Sequence, residues 1–157
     1  MKSAIRPQRA VVIPARKKRE RGYVSLLASV SIVTLAAFAG LAVDSGYMEV
    51  VRRRAQTAAD SAALAAAFEM QRGDKANMRH AACIDAGLNG FVDGEQQTSV
   101  SIANPPVGGP YIKDDSAVEA LVVQKVPTSF LRILGQASTT ISARAVARVD
   151  GSPRLVE

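Results

Sequence analysis

From Tyr23 to Val43 the chain reads YVSLLASVSIVTLAAFAGLAV, twenty-one residues without a charge. As a helix rising about 1.5 Å per residue, this run measures roughly 31 Å, the thickness of a bilayer's hydrocarbon core. A fold must therefore be built around a segment that spans a membrane or is buried whole. The flank RKKRER, Arg16 to Arg21, decides between these, because a helix buried in a soluble protein gives no reason for so dense a basic leader. A secretory signal cut after Ala39 in AFAG is the other reading, but the apolar run continues past that point to Val43. The positive flank places residues 1–22 in the cytoplasm as a basic leader, residues 23–43 across the membrane, and everything after Asp44 on the far side.

The formal net charge of +6 belongs to that leader. Residues 1–21 carry eight Lys or Arg against Glu20 alone, whereas residues 44–157 hold twelve basic and thirteen acidic side chains. With no aromatic residues interleaved in the basic run, nucleic acid is not an expected partner.

No proline interrupts the chain between Tyr23 and Arg72, so the membrane helix is expected to run on through residues 44–73, with Arg72 in its last turn and Gly73 as terminator. Ala55, Ala58, Ala59, Ala62, Ala63 and Ala66 recur at helical spacing and form a stripe of methyl groups. Such a stripe buries little area per residue, so it is expected to serve the close approach of another helix. Ser25, Ser29, Ala36 and Gly40, with Asp44 continuing the series, give a second small-residue face inside the apolar run, and Asp44 is expected to meet a basic group or free amino terminus of a neighbouring subunit. Leu64 and Phe68, one turn apart, are the side chains expected to dock the helix on the carboxy-terminal domain.

Residues 74–150 read as a small α+β domain and 151–157 as a tail. DKANMRHAACIDAGL, Asp74 to Leu88, predicts a second helix closed by Asn89 and Gly90, with Ala76, Ala81, Ile84 and Leu88 on its apolar face. Gln97–Ala103, Ala117–Val126 and Thr139–Val149 alternate with period two and predict a small antiparallel sheet with one buried face, carrying Ile141, Ala143, Ala145 and Ala147. The fold class is thus α+β: a long amino-terminal helix, a second helix and a small antiparallel sheet.

Residues able to carry chemistry are few. His80, the only histidine, has no second metal ligand at helical spacing and reads as solvated; Cys83, the only cysteine, reads as a small buried apolar residue, with an intermolecular bridge as the alternative. Asp114 and Asp115 read as a solvated turn, and Gly108–Gly109 lies between prolines rather than between a strand and a helix. The expectation is a protein that is not an enzyme, with no catalytic, metal or cofactor site and no small-molecule substrate.

The basic leader, the apolar segment ending GLAVD at Gly40–Asp44, and RRRAQTAADSAALAAA at Arg52–Ala67 closely resemble the amino-terminal region of the TadG-like proteins, the TadE/TadG group associated with Flp (Tad) pilus assembly in bacteria. DAGLNG at Asp85–Gly90, VPTSFLRILG at Val126–Gly135 and ARAVARV at Ala143–Val149 look like the rest of their short extracytoplasmic domains. The resemblance implies a single-pass inner-membrane protein with a periplasmic domain, acting as a structural or minor pilin-like subunit in pilus assembly or secretion. Its partners would be membrane lipid and other pilus-assembly or pilin-like subunits, copies of itself included. Processed precursors of this system usually carry Glu five residues after the cleaved Gly, and after Gly22 that place is Leu27. The alternative is a membrane-tethered binding module whose sheet recognises a ligand or partner, with the helix as a stalk.

Overall fold

The computed structural model describes residues 20–156, so the expected leader lies, up to residue 19, outside the described residues. One helix, α1, runs from Glu20 to Gln71. It is followed by α2 (Met78–Leu88), β1 (Thr98–Ala103), β2 (Ala117–Pro127), a short 3-10 turn (Leu131–Leu134), β3 (Ser138–Val149) and β4 (Pro153–Leu155). The α+β class expected from the sequence is the one observed.

Two glycines end the helices by the same device. Gly73 takes φ +82, its N–H reaches the Met70 carbonyl at 3.0 Å, and the Asp74 N–H reaches that of Glu69 at 3.0 Å. Gly90 takes φ +90, with Gly90 N–H on Gly87 and Phe91 N–H on Ala86. Each pair satisfies carbonyls that the last turn would leave open, and the left-handed residue between them carries no Cβ to clash. α2 begins four residues later than expected, because the Asp74 carboxylate accepts the Asn77 N–H at 3.2 Å and holds Asp74–Asn77 as a turn.

The sheet is an antiparallel meander in the order β1-β2-β3-β4. Val122 faces Val100 on one side and Ala143 on the other, a register that places Val118, Ala120, Val122 and Val126 on one face with Ala147, Ala145, Ala143 and Thr139 opposite. β4 comes from the segment read as a tail, pairing Pro153 with Val149 and Leu155 with Ala147.

The core lies between this face and the helices, and it is built of small side chains. Ala55, Ala58, Ala59, Ala62, Ala63, Ala66 and Ala67 of α1 join Ala82 and Ala86 of α2 and the valines and alanines of the sheet in one buried cluster. The largest fully buried side chains are valines. The alanine stripe is therefore covered by the protein's own domain, which corrects the expectation that it awaits another helix. Methyl groups on both layers supply the burial that single large side chains usually provide.

The same chemistry corrects two further expectations. On α2, the buried positions are Met78, Ala82 and Ala86, while Ile84 and Leu88 are exposed. On α1, Leu64 is half-buried against the core, but Phe68 is exposed and lines a shallow groove with His80 and Ile84 of α2.

The opposite face of the sheet is covered by residues 104–116. Val146 is buried on this reverse side with Pro106 and Glu119. The Glu119 carboxylate, 4% exposed, accepts the N–H groups of Val107 at 3.0 Å and Gly108 at 3.3 Å, and Arg144 lies 3.2 Å away while also donating to the Gly108 carbonyl at 2.6 Å. The Asn104 amide donates to the carbonyls of Asp115 and Ala117. Asp114, expected to be a solvated turn, is half-buried: it accepts the Ser116 N–H and hydroxyl and pairs with Arg148 at 3.3 Å. Those Ser116 hydrogen bonds hold its carboxyl below the usual range. Gly108–Gly109 thus belongs to a cover over the sheet.

Candidate functional site

Gly40 and Asp44 stand one turn apart on α1, where the apolar run ends. Both are buried, and both touch the connection between β2 and β3. Asp44 Oδ1 accepts the Ser129 N–H at 3.0 Å, and Oδ2 accepts those of Phe130 at 2.8 Å and Leu131 at 2.7 Å. Three backbone donors at the start of the Leu131–Leu134 turn are open by geometry, and a carboxylate satisfies all of them at once. The Leu131 N–H is foremost in holding the Asp44 carboxyl below its ordinary range; desolvation opposes it, and the Ser129 and Phe130 N–H groups add to it.

This arrangement corrects the role expected of Asp44. Its carboxylate is occupied within the chain, by backbone amides rather than by a cation of a neighbouring subunit.

Gly40 explains how the connection comes so close. A Cβ at this position would stand 2.3 Å from Cδ1 and 2.5 Å from Cγ of the Phe130 ring, distances that no real Cβ tolerates. Glycine is thus the residue that lets the aromatic side chain lie on the helix backbone. The base of the connection is closed by Thr128, whose N–H donates to the Ala137 carbonyl at 3.1 Å and whose hydroxyl donates to that of Gln136. Gly135, at φ +91, turns the chain back toward β3.

The other small residues of the apolar run have a different setting. Ser25, Ser29 and Ala36 are exposed; the Ser25 hydroxyl donates to the Gly22 carbonyl at 2.9 Å and that of Ser29 to the Ser25 carbonyl at 2.8 Å. Hydroxyls bonded in this way present little unsatisfied polarity outside the helix. Beyond Asp44, Glu49 pairs with Arg53 at 2.8 Å, an i, i+4 contact on the exposed side of the helix.

A second surface feature went unread in the sequence. Gln96, Gln97, Gln124 and Lys125 line a groove of about 550 Å³ with Tyr47 and Ser138. Gln96 and Gln97 both have positive φ, 45° and 56°, in the turn that enters β1. Nothing short of the tertiary fold brings Tyr47 of α1 to that turn. His80 is exposed, and Cys83 is half-buried, with burial pushing its thiol up.

Residues 22–72 match the Tad family, described as "Putative Flp pilus-assembly TadE/G-like". The match covers the apolar run, Gly40, Asp44 and the alanine stripe, and it does not extend to the basic leader or to the segments at 85–90, 126–135 and 143–149 that the resemblance also includes. No curated protein and no solved structure matches the chain. α1 is long and apolar enough to cross a membrane, and its most apolar stretch is almost wholly exposed. The family match and this bare apolar stretch together support a membrane protein related to Flp/Tad pilus assembly.

Proposed function

We propose that the chain is a single-pass inner-membrane subunit of a Flp/Tad-type pilus assembly, with a cytoplasmic amino terminus and its α+β body in the periplasm, acting as a structural, pilin-like component rather than an enzyme. The observation that carries this reading is the division of α1. Residues 22–39 are exposed throughout, and they are among the most apolar in the chain, whereas from Val51 onward one face of the same helix is buried with the sheet. So extended an apolar surface is stable only in lipid or against other apolar helices.

With the alanine stripe covered, subunit contacts through α1 fall to Ser25, Ser29 and Ala36 in the bare stretch. In the native host, the intact chain should resist carbonate extraction from the membrane, and protease added to spheroplasts should digest the body. Recovery of the full-length chain in the soluble cytoplasmic fraction refutes the anchor; a protected body refutes the orientation. Crosslinking through Ser29→Cys in a Cys83→Ser background should give adducts with pilus-assembly subunits or with a second copy. Their absence in assembling cells removes the structural role.

The amide-lined groove at Gln96, Gln97 and Gln124 supports a second reading, a tethered binding module. Replacing Gln96 and Gln124 by Ala should leave pilus assembly unchanged under the first reading and abolish partner capture under the second.

A further inference from the structure

The β2–β3 connection displays apolar side chains that the body leaves uncovered. Ile133 is 80% exposed, Leu134 74% and Phe130 42%, all within five residues. An ordinary connection between two strands carries polar residues at its tip, because each apolar side chain held in water forgoes the stabilisation that burial gives. Here the connection is closed at its base by Thr128, turned by Gly135 and held on α1 by three N–H groups on one carboxylate. Its apolar tip is presented on a fixed frame.

The position of that frame identifies what covers the tip. Phe130 lies on Gly40, which belongs to the uncharged run, and about 6 Å of helix separates Gly40 from Asp44, the first charge after the run. A side chain resting on Gly40 must share its depth. The neighbouring helix residues Phe38 and Val43 are likewise exposed, so apolar surface is present on the helix and on the connection at the same end of the body. Arg132, exposed among these residues, adds a cation of the kind that interfacial segments place at anionic headgroups.

We infer that the Ser129–Gly135 connection is a second membrane contact, which inserts Phe130, Ile133 and Leu134 into the headgroup and acyl boundary of the bilayer beside α1. The occupant of the patch is lipid. Interfacial amphipathic helices bury their apolar face about 5–10 Å deep, a depth that side chains on a turn held at the end of a span can also reach. The inference rests on the reading that the apolar half of α1 crosses the membrane.

The test uses the full chain, Cys83→Ser, reconstituted in vesicles of phosphatidylcholine and phosphatidylglycerol, with a single cysteine carrying an environment-sensitive fluorophore. Ile133→Cys reports the connection, and Leu35→Cys reports the span. Both positions should lose most of their emission to lipid-borne quenchers and resist aqueous iodide, and Phe130→Ser with Leu134→Ser should return position 133 to iodide quenching. If position 35 is not quenched by lipid, the membrane reading itself fails. If position 35 is quenched by lipid but position 133 is quenched by iodide, the connection is in water and this inference alone fails. Shielding of position 133 from both quenchers assigns the patch to a protein contact and equally overturns the inference.

Discussion

Replacing Ala59 by Leu adds three carbons at a position with no exposed surface, in a core whose largest fully enclosed side chains are valines. Layers that meet through methyl groups have no long side chain able to swing aside, so the added volume must be taken up by moving α1 or the sheet. Overpacking of this kind costs about 1–3 kcal/mol. For a body of the size of residues 37–157, each kcal/mol lowers the midpoint of thermal unfolding by about 4 °C, which gives a fall of roughly 4–12 °C. The assay is far-UV circular dichroism of the detergent-solubilised full chain on heating, with Thr57→Leu, at an exposed position two residues away on the same helix, as control. The control should unfold within about 2 °C of the parent, as exposed substitutions usually do. If Ala59→Leu unfolds like the control yet blocks assembly in cells, the stripe serves another chain after all, and the reasoning from intramolecular burial is refuted.

Two other groups give sharper local tests. Because Asp44 is held below its ordinary value of 3.8, its grip on Ser129–Leu131 should be complete above that pH and lost as pH falls through the folded value; amide hydrogen exchange at residues 129–131, corrected for intrinsic rate, should accelerate in that acid window, and Asp44→Ala should show the fast rate at neutral pH as well. Equal protection of Asp44→Ala and the parent at neutral pH removes the anchor. Glu119→Ala leaves the Val107 and Gly108 N–H groups without their acceptor and removes the ion-pair partner at 3.2 Å from Arg144, for an expected loss of roughly 1–3 kcal/mol and new proteolytic cuts within 104–113. Unchanged stability and cleavage would show that the cover over the sheet stands without it.

How far the sequence revealed this fold depends on which signals are local. Gly73 and Gly90 ended the helices where expected, because a left-handed terminator is a property of a few adjacent residues. Three strands were legible from their alternation, and the third ran only one residue longer than expected. β4 was missed because Pro153–Leu155 is too short to show a period. Gly40, Asp44 and the alanines were expected to face another subunit, whereas the β2–β3 connection and the sheet of the same chain lie against them. Gly40, Asp44 and the alanines at helical spacing look the same whether a neighbouring helix or the chain's own sheet lies against them, and only long-range contacts such as Asp44 with Phe130 distinguish the two. The face of α2 failed for a related reason. The face expected through Ala76, Ala81, Ile84 and Leu88 is rotated from the observed one: in a core of methyl groups Ala82 and Ala86 go inside while Ile84 and Leu88 stay out.

Gly40, Asp44, Val51, Ala55, Ala58, Ala62 and Ala66 follow one another at steps of three, four or seven residues, so the contact under Phe130 and the alanine seam are a single line along α1. This line works as a key cut to one phase. Inserting a single residue between Asp44 and Val51 would rotate everything beyond it by about 100°, turning either the carboxylate from its amides or the alanines from the sheet, whereas seven added residues would return the phase to within about 20°. Those seven residues would also lengthen the helix by about 10 Å and draw the carboxylate away from its amides, so the length of this stretch is fixed by distance as well as by phase, even where its side chains are exposed.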